Sequence, residues 1–159
     1  MPSPGLDRTD RKILDTLQND GRLSNVDLAD RVALSPSPCL RRVKRLEDEG
    51  VIAGYRAILD RKALGLGLTV FVEIKVGKHS KENAGLLHEA LLTIPEIVAC
   101  HMVSGISDFL AEVVVPDLEA YERLMTDKLL TLPTIVDIRS NFAIRTVKTE
   151  GALPLGHLG

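Results

Sequence analysis

The sequence predicts an α+β protein made of two small domains, and three observations carry that prediction. Before residue 60 the apolar residues recur at helical spacing; after it, runs of β-branched residues alternate between two helical stretches. Residues 60–67 (DRKALGLG) carry two glycines and separate the halves as a hinge. A chain of 159 residues divided this way leaves each half a small core, and 3% aromatic residues with no Trp make that core aliphatic. The expected boundaries are 1–59 for a helical domain, 60–67 for the hinge and 68–148 for a sheet domain. Residues 149–159 are a Gly- and Pro-rich tail expected to be loosely ordered.

In the first half, Asp7 is suited to cap a helix with a second acid, Asp10, in its first turn, and Ile13, Leu14 and Leu17 form its apolar stripe. Asn19, Asp20 and Gly21 end it. A short second helix starts at Ser24, which with Asp27 resembles a capping box, and turns Leu28, Ala29 and Val32 inward. After the turn Ala33-Leu34, a third helix begins with Ser35 as N-cap and Pro36 at the first helical position, and Gly50 stops it after Glu49. Residues 51–52 and 55–59, on either side of Ala53-Gly54, read as a small hairpin. A short capped helix, a tight turn, a long helix and a hairpin compose a winged helix-turn-helix.

In the second half, Val70, Val72, Ile74 and Val76 point one way along a strand and Thr69, Phe71, Glu73 and Lys75 the other. A helix is expected from Ser80, with Ala84, Leu87, Leu91 and Ile94 on one face and Pro95 at its end. Strands follow over 97–103 and 109–115, joined by the turn Ser104-Gly105-Ile106-Ser107-Asp108. A helix over 117–130 carries Tyr121, Leu124 and Leu129, and a last strand is expected over 135–147. The order β-α-β-β-α-β is the ferredoxin-like pattern. Its helices cover one sheet face, so the other must be hidden or left polar.

The third helix holds the clearest chemistry. On a helical wheel Cys39, Leu40, Val43 and Leu46 fall on one side, Arg41 and Arg45 fall opposite, and Arg42 and Lys44 flank them. Ser37 and Pro38 share the exposed arc one turn earlier. A helix that enters a DNA groove by its N-terminal part needs such a basic outer face, while the acids Glu47, Asp48 and Glu49 stay clear of phosphate at the other end. Arg41, Arg45 and Ser37 are the favoured base or phosphate contacts. Arg42 and Lys44 suit phosphate, and Ser35 can offer its hydroxyl or the helix N-terminus. RRVKR alone fits the solvated face of an ordinary amphipathic helix; the preceding capped helix, tight turn and following hairpin favour DNA. The net charge of −2 argues mildly against a non-specific nucleic-acid coat protein and says nothing against a specific reader with a local basic surface.

Other classes find little support. Cys39 and Cys100 have no CxxC spacing, and His79, His88, His101 and His157 are scattered, so no metal site is expected. The opening MPSPGLDRTDRK has no apolar run and no stretch suits a membrane helix, which points to a cytoplasmic protein without membrane contact. No phosphate loop, HExxH or nucleophile elbow is present, so no catalytic residue and no enzyme activity are expected.

The stretches LDRTDRKILDTLQNDGRLSNVDLADRV and LSPSPCLRRVKRLEDEGVIAGYRAILD resemble the leucine-responsive/asparagine-synthetase regulator (Lrp/AsnC) family. LGLTVFVEI, VSGISDFLAEV and YERLMTDKLLTLPTIVDIRSNFAI extend the resemblance over residues 6–148. The resemblance implies a transcriptional regulator whose second half is a sensor (RAM) domain, which binds an amino-acid effector and joins copies into dimers, tetramers or octamers. It implies no cofactor. GLGLTVFVEIK followed by HS looks like a branch that includes cysteine-responsive regulators. The family's Gly-x-x-Asp turn is Gly105-Ile106-Ser107-Asp108 here, with Phe109 where Tyr is common, which removes one hydroxyl from that site. His101 and Val103 before the turn, Ser107 within it, and Thr134 and Ile135 from a neighbouring chain are the other candidate effector contacts. A structural role for the turn, with Asp108 accepting backbone hydrogen bonds, is the alternative. Two rival functions stand beside this one: a ligand-independent architectural DNA binder, and a metabolite-binding or enzymatic ferredoxin-like module with an incidental basic helix.

Overall fold

A computed structural model describes residues 5–77 and 81–158. The expected helix start at Ser80 and the loop position of His79 lie outside the described residues. The chain divides into two compact units, one formed by residues up to 58 together with those from 148 onward, the other by residues 59–147.

The first unit is built on helices α1 (Arg8–Asn19), α2 (Asn25–Val32) and α3 (Pro36–Asp48). Asp7 caps α1 by accepting from the backbone N–H groups of Thr9 and Asp10, while Asp10 accepts in return from the N–H of Asp7, closing a capping box. Ser24 accepts from the N–H of Asp27 at the start of α2. Asn25 Nδ2 donates to the carbonyl of Pro36 at 2.8 Å and ties the start of α2 to the start of α3. Ser35 sits at the α3 N-cap with extended backbone but makes no side-chain capping bond. Ile13, Leu28, Ala29, Val32, Cys39 and Leu46 form the buried core.

Two expectations change in this unit. The hairpin after α3 does not form a ladder: residues 51–59 contain no strand. Val51 and Ile52 pack against the helical core instead, and the N–H of Ile52 donates to the carbonyl of Leu46. The first arm of the hairpin is therefore taken up in finishing α3, where Gly50 at φ +71° makes the turn. The tail is not loose either. The N–H of Leu153 donates to Gln18 Oε1 at 2.8 Å, Gln18 Nε2 donates to the carbonyl of Leu153, and Arg11 donates to the carbonyl of Leu158. Leu158 is buried. Leu14 and Leu17 of α1 leave an apolar groove that the tail leucines line.

The second unit is an antiparallel sheet of β1 (Leu68–Val76), β2 (Ile97–Met102), β3 (Phe109–Val115) and β4 (Ile135–Phe142) in the order β2-β3-β1-β4. Helices α4 (Lys81–Leu92) and α5 (Leu118–Leu124) supply Leu87, Leu91, Tyr121 and Leu124 to a core with Val70, Val72, Ile74, Phe109, Ala111 and Val113. α5 continues as a wide π-helical turn, Met125–Leu129, that buries Leu129. β4 is shorter than expected. Phe142 pairs with Val70, and the last bond runs from the N–H of Ala143 to the carbonyl of Thr69, so beyond it only Leu68, the first residue of β1, remains, and Ile144 and Val147 stand exposed.

Replacing Asp7 by Ala should lower the stability of the first unit by about 1 kcal/mol, the usual worth of an N-cap. The backbone N–H of Asp10, and then the Arg42 guanidinium, hold the Asp7 carboxyl below its usual value of 3.8. Its charge therefore stabilises the fold above that value, by an amount reduced by the exposure of the group, and ceases to do so as pH falls through the lowered one. Urea melts of both proteins should show their difference at neutral pH shrinking in acid. Deleting residues 152–159 should lower the melting temperature of the first unit and leave the second unchanged, as read by amide hydrogen exchange.

Candidate nucleic-acid interface and effector site

α3 buries Cys39 and Leu46 and half-buries Val43. Leu40, expected on that side, is 44% exposed and lies in an open depression with Ser37, Arg41 and Lys44. At ~100° per residue it falls a quarter-turn from the buried line, which explains its position on the flank. Ser37, Arg41 and Lys44 are exposed, and neither Arg41 nor Lys44 has an ion-pair or hydrogen-bond partner among the described residues. Pro38 is half-buried at the helix start. The Glu47 carboxylate accepts from the Tyr55 hydroxyl at 3.0 Å, which holds it at the C-terminal end of α3.

Arg42 and Arg45 are placed differently. Arg42 Nη1 lies 2.7 Å from Asp7 Oδ2 and 2.8 Å from Asp10 Oδ1. Arg45 Nη2 lies 2.6 Å from Asp10 Oδ2. That contact is ionic rather than a directed hydrogen bond, because Nε and Nη2 of Arg45 are buried with no acceptor in line. Asp10 is 0% exposed, while both arginines keep part of their side chains in solvent. The hydrogen bonds to the two carboxylates raise the Arg42 pKa above its usual value. The wheel put Arg45 on the outer stripe with Arg41; the acids of α1 draw it to one flank. Sequence reading took Asp10 as a first-turn acid and missed its role in this cluster. Its spacing from Asp7, one helical turn, was the available signal.

The candidate effector residues gather at one end of the second unit. Gly105 has φ +125°, so the turn uses a conformation that side chains disfavour. Val103 N–H donates to the carbonyl of Asp108, Asp108 N–H donates to that of Ile74, and Val76 N–H donates to Asp108 Oδ2 at 2.8 Å. Gly77 N–H donates to the carbonyl of Thr134, and Ile135 pairs with Val76. The end of β1 thus borders the Gly105 turn on one side and Thr134-Ile135 of the same chain on the other. Ser107 Oγ donates to Glu73 Oε2 at 3.0 Å, and Asn141 donates to Glu73 Oε1. His101 is exposed and pairs with Leu110 on the sheet face that carries Glu73. That face bears Phe71, Leu110 and Val114 as well as Glu73, Lys75 and Glu112, the last held by Arg61 at 2.7 Å.

No described group of three or more His, Cys, Asp or Glu side chains is placed to hold a metal ion. Burial pushes the Cys39 thiol pKa up, away from a reactive thiolate. His88 is exposed and lines a cavity beside β2 with Leu91, Cys100, Met102 and Phe109. No helix among the described residues is long and apolar enough to cross a membrane.

Residues 6–53 match the family model for a winged helix-turn-helix DNA-binding domain, and residues 69–153 match that for the Lrp/AsnC ligand-binding domain. The leucine-responsive regulatory proteins of Klebsiella pneumoniae and Escherichia coli K12 are each 45% identical to the chain over 152 residues, covering 96% of it and 93% of the relative. The fold is similar to that of a transcriptional regulator from Neisseria meningitidis solved in complex with L-Met, at 39% identity and a TM-score of 0.92, covering 96% of this chain and 99% of that one. An AsnC-family regulator from Agrobacterium tumefaciens gives the same identity, score and coverage.

The bond from Val76 to Asp108 makes a prediction about the sheet unit alone. Asp108→Ala leaves the Val76 N–H without that acceptor and should cost about 1–3 kcal/mol of stability with no ligand present. Asp108→Asn keeps an acceptor oxygen and should cost less, as measured by thermal melting.

Proposed function

The chain belongs to the Lrp/AsnC family of transcriptional regulators, and from that premise we propose that it is a cytoplasmic, amino-acid-responsive regulator that acts by binding rather than by catalysis. The observation that carries the DNA half of this reading is the pair of unpartnered cations, Arg41 and Lys44, on the outer line of α3. Two copies of the first unit read successive major grooves, each through α3. Ser37 and Arg41 face the bases, Lys44 meets phosphate, and Ser35 and Pro38 border the phosphate path at the helix start. Arg42 and Arg45 frame that surface from the side of α1.

The effector is an amino acid with an aliphatic or thioether side chain, a class supported by the leucine and methionine of the similar proteins. It binds near the Gly105 turn. The positive φ of Gly105 opens backbone donors to a carboxylate, and Ser107 with Asp108 offers acceptors toward an ammonium group. Val103, Thr134 and Ile135 supply apolar surface, and His101 borders the site from β2. The sheet face that carries Phe71, Leu110 and Val114 packs on a second copy, and further copies build tetramers or octamers. The same chemistry distinguishes this reading from an architectural DNA binder, for which no effector is needed.

Fluorescence anisotropy at matched salt, with DNA from upstream of the protein's own gene and an unrelated duplex, should give the upstream DNA the higher affinity. Arg41→Ala should weaken that binding by about 1–3 kcal/mol, the worth of a base-reading arginine, with its fold retained. Equal binding of both duplexes by the wild-type chain, or unchanged binding by the Arg41→Ala/Lys44→Ala double variant, would contradict the assignment. Light scattering should find at least a dimer at micromolar concentration, and a monomer there would remove the assembly part of the reading.

A further inference from the structure

We propose that Asp10 is a positioning residue for DNA recognition: by holding Arg42 and Arg45 against α1, it leaves Arg41 and Lys44 as the cations that α3 offers to DNA. The inference rests on the DNA-binding reading and divides the work among four residues that the sequence presents as one basic run.

The geometry supports that division in three ways. Asp10 is fully buried, and its carboxylate is fixed by the N–H of Asp7 at 3.1 Å, so it is anchored to the start of α1 rather than swinging in solvent. Its two oxygens meet different arginines, Oδ1 at Arg42 and Oδ2 at Arg45, which locks the guanidinium groups side by side. Charge is balanced within the cluster, two carboxylates of Asp7 and Asp10 against the two arginines, whereas Arg41 and Lys44 make no ion pair or hydrogen bond with any described residue. A cation already matched by a buried carboxylate has less to gain from a phosphate than one facing water alone. The cluster also fixes one flank of α3 to α1 through side chains, so it sets the direction in which Arg41 and Lys44 project.

The salt dependence of binding separates a direct contact from a positioning role, because each phosphate contact adds about 0.9 to the slope of log affinity against log salt on duplex DNA. Anisotropy titrations of the full chain on an unrelated duplex, from low to moderate salt, should show a flatter slope for Arg41→Gln/Lys44→Gln. Arg45→Gln should keep the wild-type slope. Asp10→Asn retains an oxygen for the Asp7 N–H but removes the charge, and it should steepen the slope by about 0.9 for each arginine freed to reach phosphate. The same variant should narrow the ratio of upstream to unrelated DNA affinity by about tenfold, the size of one lost base contact. Adding Arg45→Gln to Asp10→Asn should return the slope toward that of the wild type. A purely structural role would lower affinity for both duplexes together and leave the slope alone. If circular dichroism finds Asp10→Asn unfolded, the comparison of Arg45→Gln with Arg41→Gln/Lys44→Gln decides the matter by itself. A slope flattened by Arg45→Gln would overturn the proposal and make Arg45 a phosphate contact. A wild-type chain whose DNA binding has no salt dependence would overturn the DNA-binding reading beneath it.

Discussion

A single buried carboxylate organises the first unit. Asp10 is the third residue of α1, closes its capping box and pairs with two arginines of α3, sharing their charge with Asp7, so helix initiation, helix packing and the charge pattern of the DNA face meet at one group. Because both arginines keep contact with water, removing Asp10 costs less than the about 3–5 kcal/mol of a fully buried pair. The surrounding core is small and aliphatic, with Ile13, Leu28, Val32 and Leu46 as its larger members. A small core has little stability to lose. The polar cluster therefore specifies where α3 lies, and the apolar core supplies the general driving force for burial.

The second unit answers a different constraint. A four-stranded sheet with helices on one face has a core side and an open side. On the core side Tyr121 meets Phe142 edge-to-face at 5.4 Å and shares a 2.6 Å hydrogen bond with Ser140, which fixes β4 under α5. On the open side Phe71, Leu110 and Val114 stand among the charged Glu73, Lys75 and Glu112. The turn proposed for the effector sits where β1 ends, tied by Asp108 to Val76 and by Thr134 to Gly77. A ligand there touches the connections between three strands. It can act on DNA binding only if its affinity differs between the assembled states it joins.

Much of this was legible in the sequence, because the signals were local. The caps at Asp7 and Ser24, the Pro36 start, the Gly50 stop and the alternation of β1 each follow from the chemistry of a few neighbouring residues. What was missed depends on non-local partners. The hairpin after α3 was read from two β-like runs, but Ile52 is claimed by α3 and the second run has no strand beside it. The tail looked loose by composition, yet its leucines meet a groove on α1 that no local pattern reveals. The wheel placed Cys39, Val43 and Leu46 on the inner side of α3 and Arg41 and Lys44 on the outer one, but it misplaced Leu40, which is exposed. It could not say which arginines the acids of another helix would hold.

The proposed function requires that DNA binding and amino-acid binding be linked in this chain. The direct measurement is upstream-DNA affinity at fixed salt with and without saturating leucine or methionine, paired with calorimetric affinity for the same amino acid with and without DNA. Linkage requires the two ratios to agree, each changing by the same factor. A matched shift in both is the expected outcome. Specific DNA binding that ignores every amino acid, with no calorimetric binding to the free protein, would contradict it and favour an architectural role.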